Sequence, residues 1–267
     1  MRKVVLITGG SSGIGKSVGT FLSKKGFVVY GTSRNPEKIK NPPFKLVTLD
    51  VNKTATISKA VQTIIAKEGR LDVLVNNAGM GITGSIEDTP TDEMRNVFDT
   101  NFFGAMDVIK AVLPQMRSQK SGLIINITSI AGFMGLPFRG IYSATKGALE
   151  LTTETLSMEL EQFGIKVTNV APGEFATNIA SGRYHTPVFD ASPYKEVYQR
   201  NLNLMNADVN GGDDPIAMAK AIYKIINTKK PKLHYKVGPF MDKFAIVLKR
   251  ILPDKVFEKL LMNNYKM

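Results

Sequence analysis

Thr8-Gly9-Gly10-Ser11-Ser12-Gly13-Ile14-Gly15 follows the apolar run Val4-Val5-Leu6-Ile7 and leads into an amphipathic stretch, Ile14–Lys25. A strand, a glycine-rich turn and a helix in that order are the opening of a parallel sheet that binds a dinucleotide. Glycine allows a tight turn and close approach of a pyrophosphate, and the helix N-terminus offers free N–H groups and the positive end of its dipole. The spacing departs from G-x-G-x-x-G, because Val18 holds the third glycine position. Lys16 is not set in G-x-x-x-x-G-K-[ST], so a mononucleotide phosphate loop does not fit. Taken alone the eight residues could be a plain tight turn; their place between first strand and first helix favours the dinucleotide.

The rest of the chain repeats this alternation. Apolar, β-branched runs predict strands at Lys3–Thr8, Phe27–Thr32, Lys45–Asp50, Asp72–Val75, Leu123–Thr128, Lys166–Ala171 and His234–Val237. Amphipathic segments predict helices at Ile14–Lys25, Thr54–Lys67, Thr91–Arg117, Ile141–Phe163 and Pro215–Ile226. Strands alternating with helices of a dozen or more residues mean βαβ units. The expected fold is α/β: a single doubly wound Rossmann domain over residues 1–238, with a mostly parallel seven-stranded sheet and helices on both faces. Two regions break the rhythm. Residues 178–212 read as a long substrate loop carrying Tyr184, Phe189, Tyr194, Tyr198 and Met205. Residues 239–267 read as a short extension of two lysine-rich amphipathic helices, Phe240–Ile251 and Asp254–Met262, parted by Pro253.

Composition narrows the chemistry. The 267 residues suit one large domain at ~100–200 residues per domain. With no cysteine there is no disulfide framework, thiolate metal site or Cys nucleophile. His185 and His234, the only histidines, lie far apart, so no metal is expected. The apolar run near Met1 is too short for a signal peptide, and no stretch approaches a membrane span. The expectation is a cytoplasmic protein. The net charge of +12 invites anionic partners, but no nucleic-acid motif accompanies it, so nucleic acid is not expected.

The end of the second strand reads Tyr30-Gly31-Thr32-Ser33-Arg34-Asn35, with no acid before Glu37. Ser33 and Arg34 suit the 2′-phosphate of NADP, where a carboxylate would mark NAD. Arg34 as one more solvated charge stays open. Tyr142 and Lys146 fall at i and i+4 near the start of a predicted helix and so share a face. A tyrosine hydroxyl normally titrates near ~10, and a neighbouring ammonium favours the phenolate. Lowering it into the working range takes ~3–4 kcal/mol, and such a tyrosine exchanges a proton with a carbonyl oxygen. Alone the pair is commonplace on solvated helices. Ser129 and Asn76-Asn77-Ala78-Gly79, both at the C-terminal ends of strands, give it company.

These residues resemble the short-chain dehydrogenase/reductase superfamily over residues 3 to about 238, in the expected order: T-G-x-x-x-G-x-G at Thr8–Gly15, Asp50-Val51, N-N-A-G at Asn76–Gly79, Asn101, Ser129, Y-x-x-x-K at Tyr142–Lys146 and P-G-x-x-x-T at Pro172–Thr177. The resemblance implies an oxidoreductase in which Tyr142 is the general acid/base, Lys146 tunes it and holds the nicotinamide ribose, Ser129 bonds the substrate oxygen and Asn101 anchors a proton relay. It implies cofactor contacts from Thr8, Gly9, Ser11, Ser12, Gly13, Ile14 and Gly15, and from Ser33 and Arg34. Asp50 with Val51 would meet the adenine, and Asn77, Ala78 and Gly79 would line the cleft. Pro172 and Gly173 would also contact the cofactor, and Thr177 would meet the nicotinamide carboxamide or the pyrophosphate. Asn101 as a helix-kink residue, Asp50 as a turn former and Thr177 as a cap stay open.

The apolar stretch Ile130–Phe138 beside Ser129, with loop 178–212, suggests a hydrophobic pocket. Leu233–Gly238 and the tail resemble the branch of 17β-hydroxysteroid and retinol dehydrogenases, implying a lipophilic ketone, aldehyde or alcohol. A β-ketoacyl-type or small carbonyl reductase, or a non-catalytic NADP(H)-binding sensor, are the alternatives. Segments 91–117 and 141–163 resemble the helices through which relatives form homodimers or homotetramers. From Lys229 onward ten basic residues stand against three acids, +7 of the chain's +12. That tail suits peripheral contact with an anionic membrane, or packing against the domain or a subunit with its lysines in water.

Overall fold

The computed structural model describes residues 2–173, 175, 182–210 and 213–267, the side chains of 206–210 excepted. In chain order the elements are β1 (Val4–Ile7), α1 (Gly13–Lys24), β2 (Val28–Ser33), β3 (Lys45–Thr48), α2 (Thr54–Glu68), β4 (Val73–Asn76), β5 (Ile82–Thr83), α3 (Thr91–Phe98), α4 (Gly104–Ser118), β6 (Gly122–Ile127) and α5 (Gly140–Glu161). After them come β7 (Ile165–Pro172), β8 (Tyr184–His185), α6 (Lys195–Asn210), α7 (Ile216–Ile226), β9 (His234–Val237), α8 (Phe240–Ile251) and α9 (Asp254–Asn264). Seven strands form one sheet in the order β3-β2-β1-β4-β6-β7-β9, every neighbour parallel. This is the doubly wound Rossmann sheet that the sequence predicts.

The alternation of side chains along each strand builds a core on each face. Val4 and Leu6 point to the side covered by α2 and α4, where Ile57, Ile64, Val108 and Met116 are buried. Val5 and Ile7 point to the side covered by α1 and α7, meeting Val18, Leu22, Met218 and Ile222. The winding reverses between β1 and β4, and that reversal opens a crevice at the strands' C-terminal ends.

Two predicted elements differ. The helix expected over Thr91–Arg117 is broken by a π-helical turn at Asp99–Phe103 between α3 and α4. The stretch 178–212 is no bare loop, since β8 pairs with β5 and α6 follows. Four asparagines in α6 weaken its intrinsic helix propensity. Burial of Tyr198, Asn201 and Met205 along one face supplies what propensity lacks. The tail forms its two predicted helices. Ile246 of α8 and Phe257 of α9 are buried against Ile130, Met134 and Ala171, so the extension lies over the segment that follows Ser129.

Candidate active site

The glycine turn is tied to both neighbours of β1. Thr8 Oγ1 accepts from the backbone N–H of Asn77 at 2.9 Å and of Ala78 at 3.0 Å, while Asn77 Nδ2 donates to the carbonyls of Thr8 and Gly9. Gly9 N–H donates to Thr32 Oγ1 at 3.1 Å. Gly9 has φ +63°, a conformation that glycine adopts without strain. A Cβ on Gly15 would lie 2.3 Å from Gly9 O and 2.6 Å from Asn77 Nδ2, so this cradle admits no side chain there. Beyond it α1 starts at Gly13 with no side-chain cap from Ser12 and no acid in its first turn. Ser11 and Ile14 flank the same opening. Uncapped N–H groups, a positive dipole end and a close-packed glycine turn fit the pyrophosphate of a dinucleotide.

At the end of β2, Arg34 is exposed and free of ion pairs among the described residues, and Ser33 Oγ accepts from Asn35 N–H. Asp50 Oδ1 accepts from Asn52 N–H at 3.1 Å, which makes Asp50 a turn former; Val51 packs against the start of α4 at Gly104. Pro172 ends β7, and Gly173 N–H donates to Val237 O at 2.8 Å. Thr177 lies outside the described residues.

Tyr142 and Lys146 sit one turn apart on α5, 8% and 5% exposed, with Lys146 Nζ 5.9 Å from the Tyr142 ring centre. Nζ donates to Ile127 O at 2.9 Å, which pins the ammonium to the end of β6, and a Cβ built on Gly79 would lie 3.5 Å from it. Asn101, buried in the π-turn, accepts from Met80 N–H at 2.8 Å and donates to Met80 O and to Thr145 Oγ1. The kink thus turns Asn101 inward, clamping the loop after β4 to the start of α5. Ser129 follows β6, and its Oγ accepts from Ala131 N–H at 3.2 Å, leaving the hydroxyl proton to donate. Ala131 packs in one cluster with Tyr142, Ile82 and Leu136, and Tyr184 of β8 closes on the same cluster. Four polar side chains therefore converge at the C-terminal edge of the sheet within an apolar surround. Sequence reading passed over Glu150, which is buried one turn beyond Lys146 and accepts from the hydroxyl of Thr128, the residue before Ser129, at 2.5 Å. Its i+4 spacing from Lys146 was the available signal.

The short chain dehydrogenase family matches residues 3–187. The chain belongs to this family. A 3-ketodihydrosphingosine reductase of Bacteroides thetaiotaomicron is 40% identical over 257 residues, covering 96% of this chain and 95% of the relative. Among solved structures, a short-chain dehydrogenase from Streptomyces avermitilis superposes with a TM-score of 0.83 at 33% identity, covering 100% of this chain and 96% of that one. ElxO with NADP bound gives a TM-score of 0.71 at 28% identity, covering 89% and 97%. The family match and the Bacteroides relative thus make the chain a short-chain dehydrogenase/reductase, an oxidoreductase family. No helix among the described residues is long and apolar enough to cross a membrane.

Proposed function

We propose that the protein is an NADP(H)-dependent carbonyl reductase, reversible as an alcohol dehydrogenase, acting on a lipophilic ketone. The observation that carries this reading is the convergence of Ser129, Tyr142, Lys146 and Asn101 beside a glycine-rich phosphate cradle. NADPH, when bound, supplies the hydride. Tyr142 gives its phenolic proton to the carbonyl oxygen while Ser129 donates a hydrogen bond to that oxygen and stabilises the charge gathering there. The Lys146 ammonium offsets the negative charge left on Tyr142 and reaches toward the ribose side of the cleft. Asn101 is a positioning residue, since it holds Met80 and Thr145 on either side of the pair. Ser11 to Gly15 hold the pyrophosphate, and Asn77, Ala78, Gly79, Pro172 and Gly173 line the cleft, with Thr177 assigned by resemblance.

Arg34 supports the preference for NADP. It is uncommitted, and a guanidinium grips a phosphate with two parallel bonds. ElxO, a relative of known structure, holds NADP. The apolar residues around Tyr142 (Ile82, Ala131, Leu136 and Tyr184) support a lipophilic substrate. The named activity of the Bacteroides relative supports a long-chain 3-keto sphingoid base as the first compound to assay. The test is absorbance at 340 nm with NADPH against that ketone, a β-ketoacyl thioester and small ketones. Turnover with the long-chain ketone is expected to be highest, Tyr142→Phe is expected to abolish it while NADPH still binds, and Arg34→Ala is expected to weaken NADPH far more than NADH. Near-normal turnover by Tyr142→Phe would overturn the mechanism, equal losses for both cofactors the NADP preference, and a better thioester the substrate class.

A further inference from the structure

The tail presents apolar surface in two opposite directions. One face of α8 is covered, where Ile246 is 1% exposed among Ile130, Met134 and Phe257. On the other side Phe240, Phe244, Val247 and Ile251 recur at i, i+4, i+7 and i+11, a single stripe along the helix. All four are open to solvent, Phe240 at 71% and Ile251 at 67%, and Met241 beside them is also exposed. The Phe240 and Phe244 rings stack at 5.6 Å, extending the stripe as a flat apolar strip. A helix that only packed on its own domain would turn polar groups outward.

The charges that border the stripe are basic, the one acid of α8, Asp242, being turned toward Gly173 of the domain. Lys243 and Arg250 flank it within the same helix and make no ion pair among the described residues, whereas Lys249 and Lys255 are paired with Asp254 and Glu258. Lys236 lies close to Arg250, and its ammonium is held below its ordinary pKa by burial first and by the Arg250 charge second. Lys236 Nζ itself sits over the partly buried Phe133 ring at 5.3 Å, on the domain side of the helix. Apolar side chains that enter the acyl boundary, bordered by cations at headgroup level, are the features of a helix lying in a membrane interface.

We infer that α8 docks the protein on an anionic lipid surface through the stripe Phe240–Phe244–Val247–Ile251, with Lys243 and Arg250 against the headgroups. The inference is independent of which ketone is reduced. Because the inner face of α8 covers the segment after Ser129, docking sets that side of the active-site cleft beside the bilayer.

The test is flotation of the full chain with phosphatidylglycerol–phosphatidylcholine vesicles and with phosphatidylcholine vesicles alone. Preferential flotation with the anionic vesicles, weakened by salt, is expected. Phe244→Ser with Ile251→Ser, and separately Lys243→Glu with Arg250→Glu, are each expected to reduce the floating fraction at least about tenfold. Mass by light scattering should stay unchanged and melting temperature nearly so, since Ile251 and Phe244 are exposed and the Phe240–Phe244 stack is itself on the surface. Equal flotation with both vesicles, or none with either, overturns the inference. A drop in molecular mass in the serine variant also overturns it and makes the stripe a contact between two copies of the chain.

Discussion

Glu150 stands between the machinery on α5 and the outer strands. It is 5% exposed; Oε1 accepts from Thr128, Oε2 accepts from Asn169 Nδ2 and faces His234 Nδ1 at 3.1 Å, and His234 Nε2 reaches Glu154 at 3.3 Å. Burial drives its carboxyl above the ordinary range, with Thr128, His234 and Asn169 pulling the other way. A carboxyl with a raised folded value contributes its full stability below the unfolded value, and loses it as pH climbs through the folded one. Glu150→Gln cannot ionise, so wild-type melting temperature is expected to fall relative to that variant as pH rises from about 4 toward neutrality. Parallel melting curves across that range would refute the assignment. Residues of this kind show how far the sequence could be read. Ser129, Tyr142 and Lys146 stood out through the motifs that resemble the short-chain dehydrogenases, since the spacing of the pair alone is commonplace. Glu150 did not, because a carboxylate on a helix of alternating character reads as solvated until β7 and β9 are known to cover that face.

At the level of elements the seven strands and most helices were legible, because nearly continuous apolar runs and 3.6-residue periodicity are separate signals. The interruption at Asp99–Phe103 was legible only as the open possibility that Asn101 kinks the helix, because a π-turn leaves the apolar pattern of α3 and α4 almost intact and follows from bonds made to a distant loop. Those bonds are from Asn101 to both backbone groups of Met80 and to Thr145. Asn101→Ala would leave the half-buried Met80 N–H and C=O without partners, a cost of ~1–3 kcal/mol for each group left unsatisfied. The expected outcome is a lower urea midpoint together with reduced turnover, because the same clamp sets the start of α5. An unchanged midpoint would mean that the kink exists for other reasons. Likewise α6 escaped the sequence reading because tertiary burial of Tyr198 and Met205, and the Tyr198 hydroxyl bond to Thr83 O at 3.0 Å, outweigh an asparagine-rich composition.

Across the whole molecule, the sequence left two fates open for the basic tail, a membrane surface or packing against the protein, and treated them as rivals. The structure gives α8 a covered face and an uncovered one, so the two are compatible, and only the first needs the rest of the fold. Ile246 and Phe257 fill a cluster with Ile130, Met134 and Ala171, and full burial of side chains of this size is worth ~1.5–3 kcal/mol each. Removing residues 240–267 is therefore expected to lower stability by about 3–6 kcal/mol in water, with no lipid present, and to expose the segment flanking Ser129. Denaturant unfolding measures the first effect, and turnover by the truncated chain measures the second. A truncated chain with an unchanged unfolding midpoint would show that α8 and α9 rest on the domain without supporting it. If instead stability falls while the serine variant of the outer stripe melts as the wild type does, the two faces of one helix have separate duties. The inner face completes the wall beside Ser129, and the outer face is free to meet the lipid.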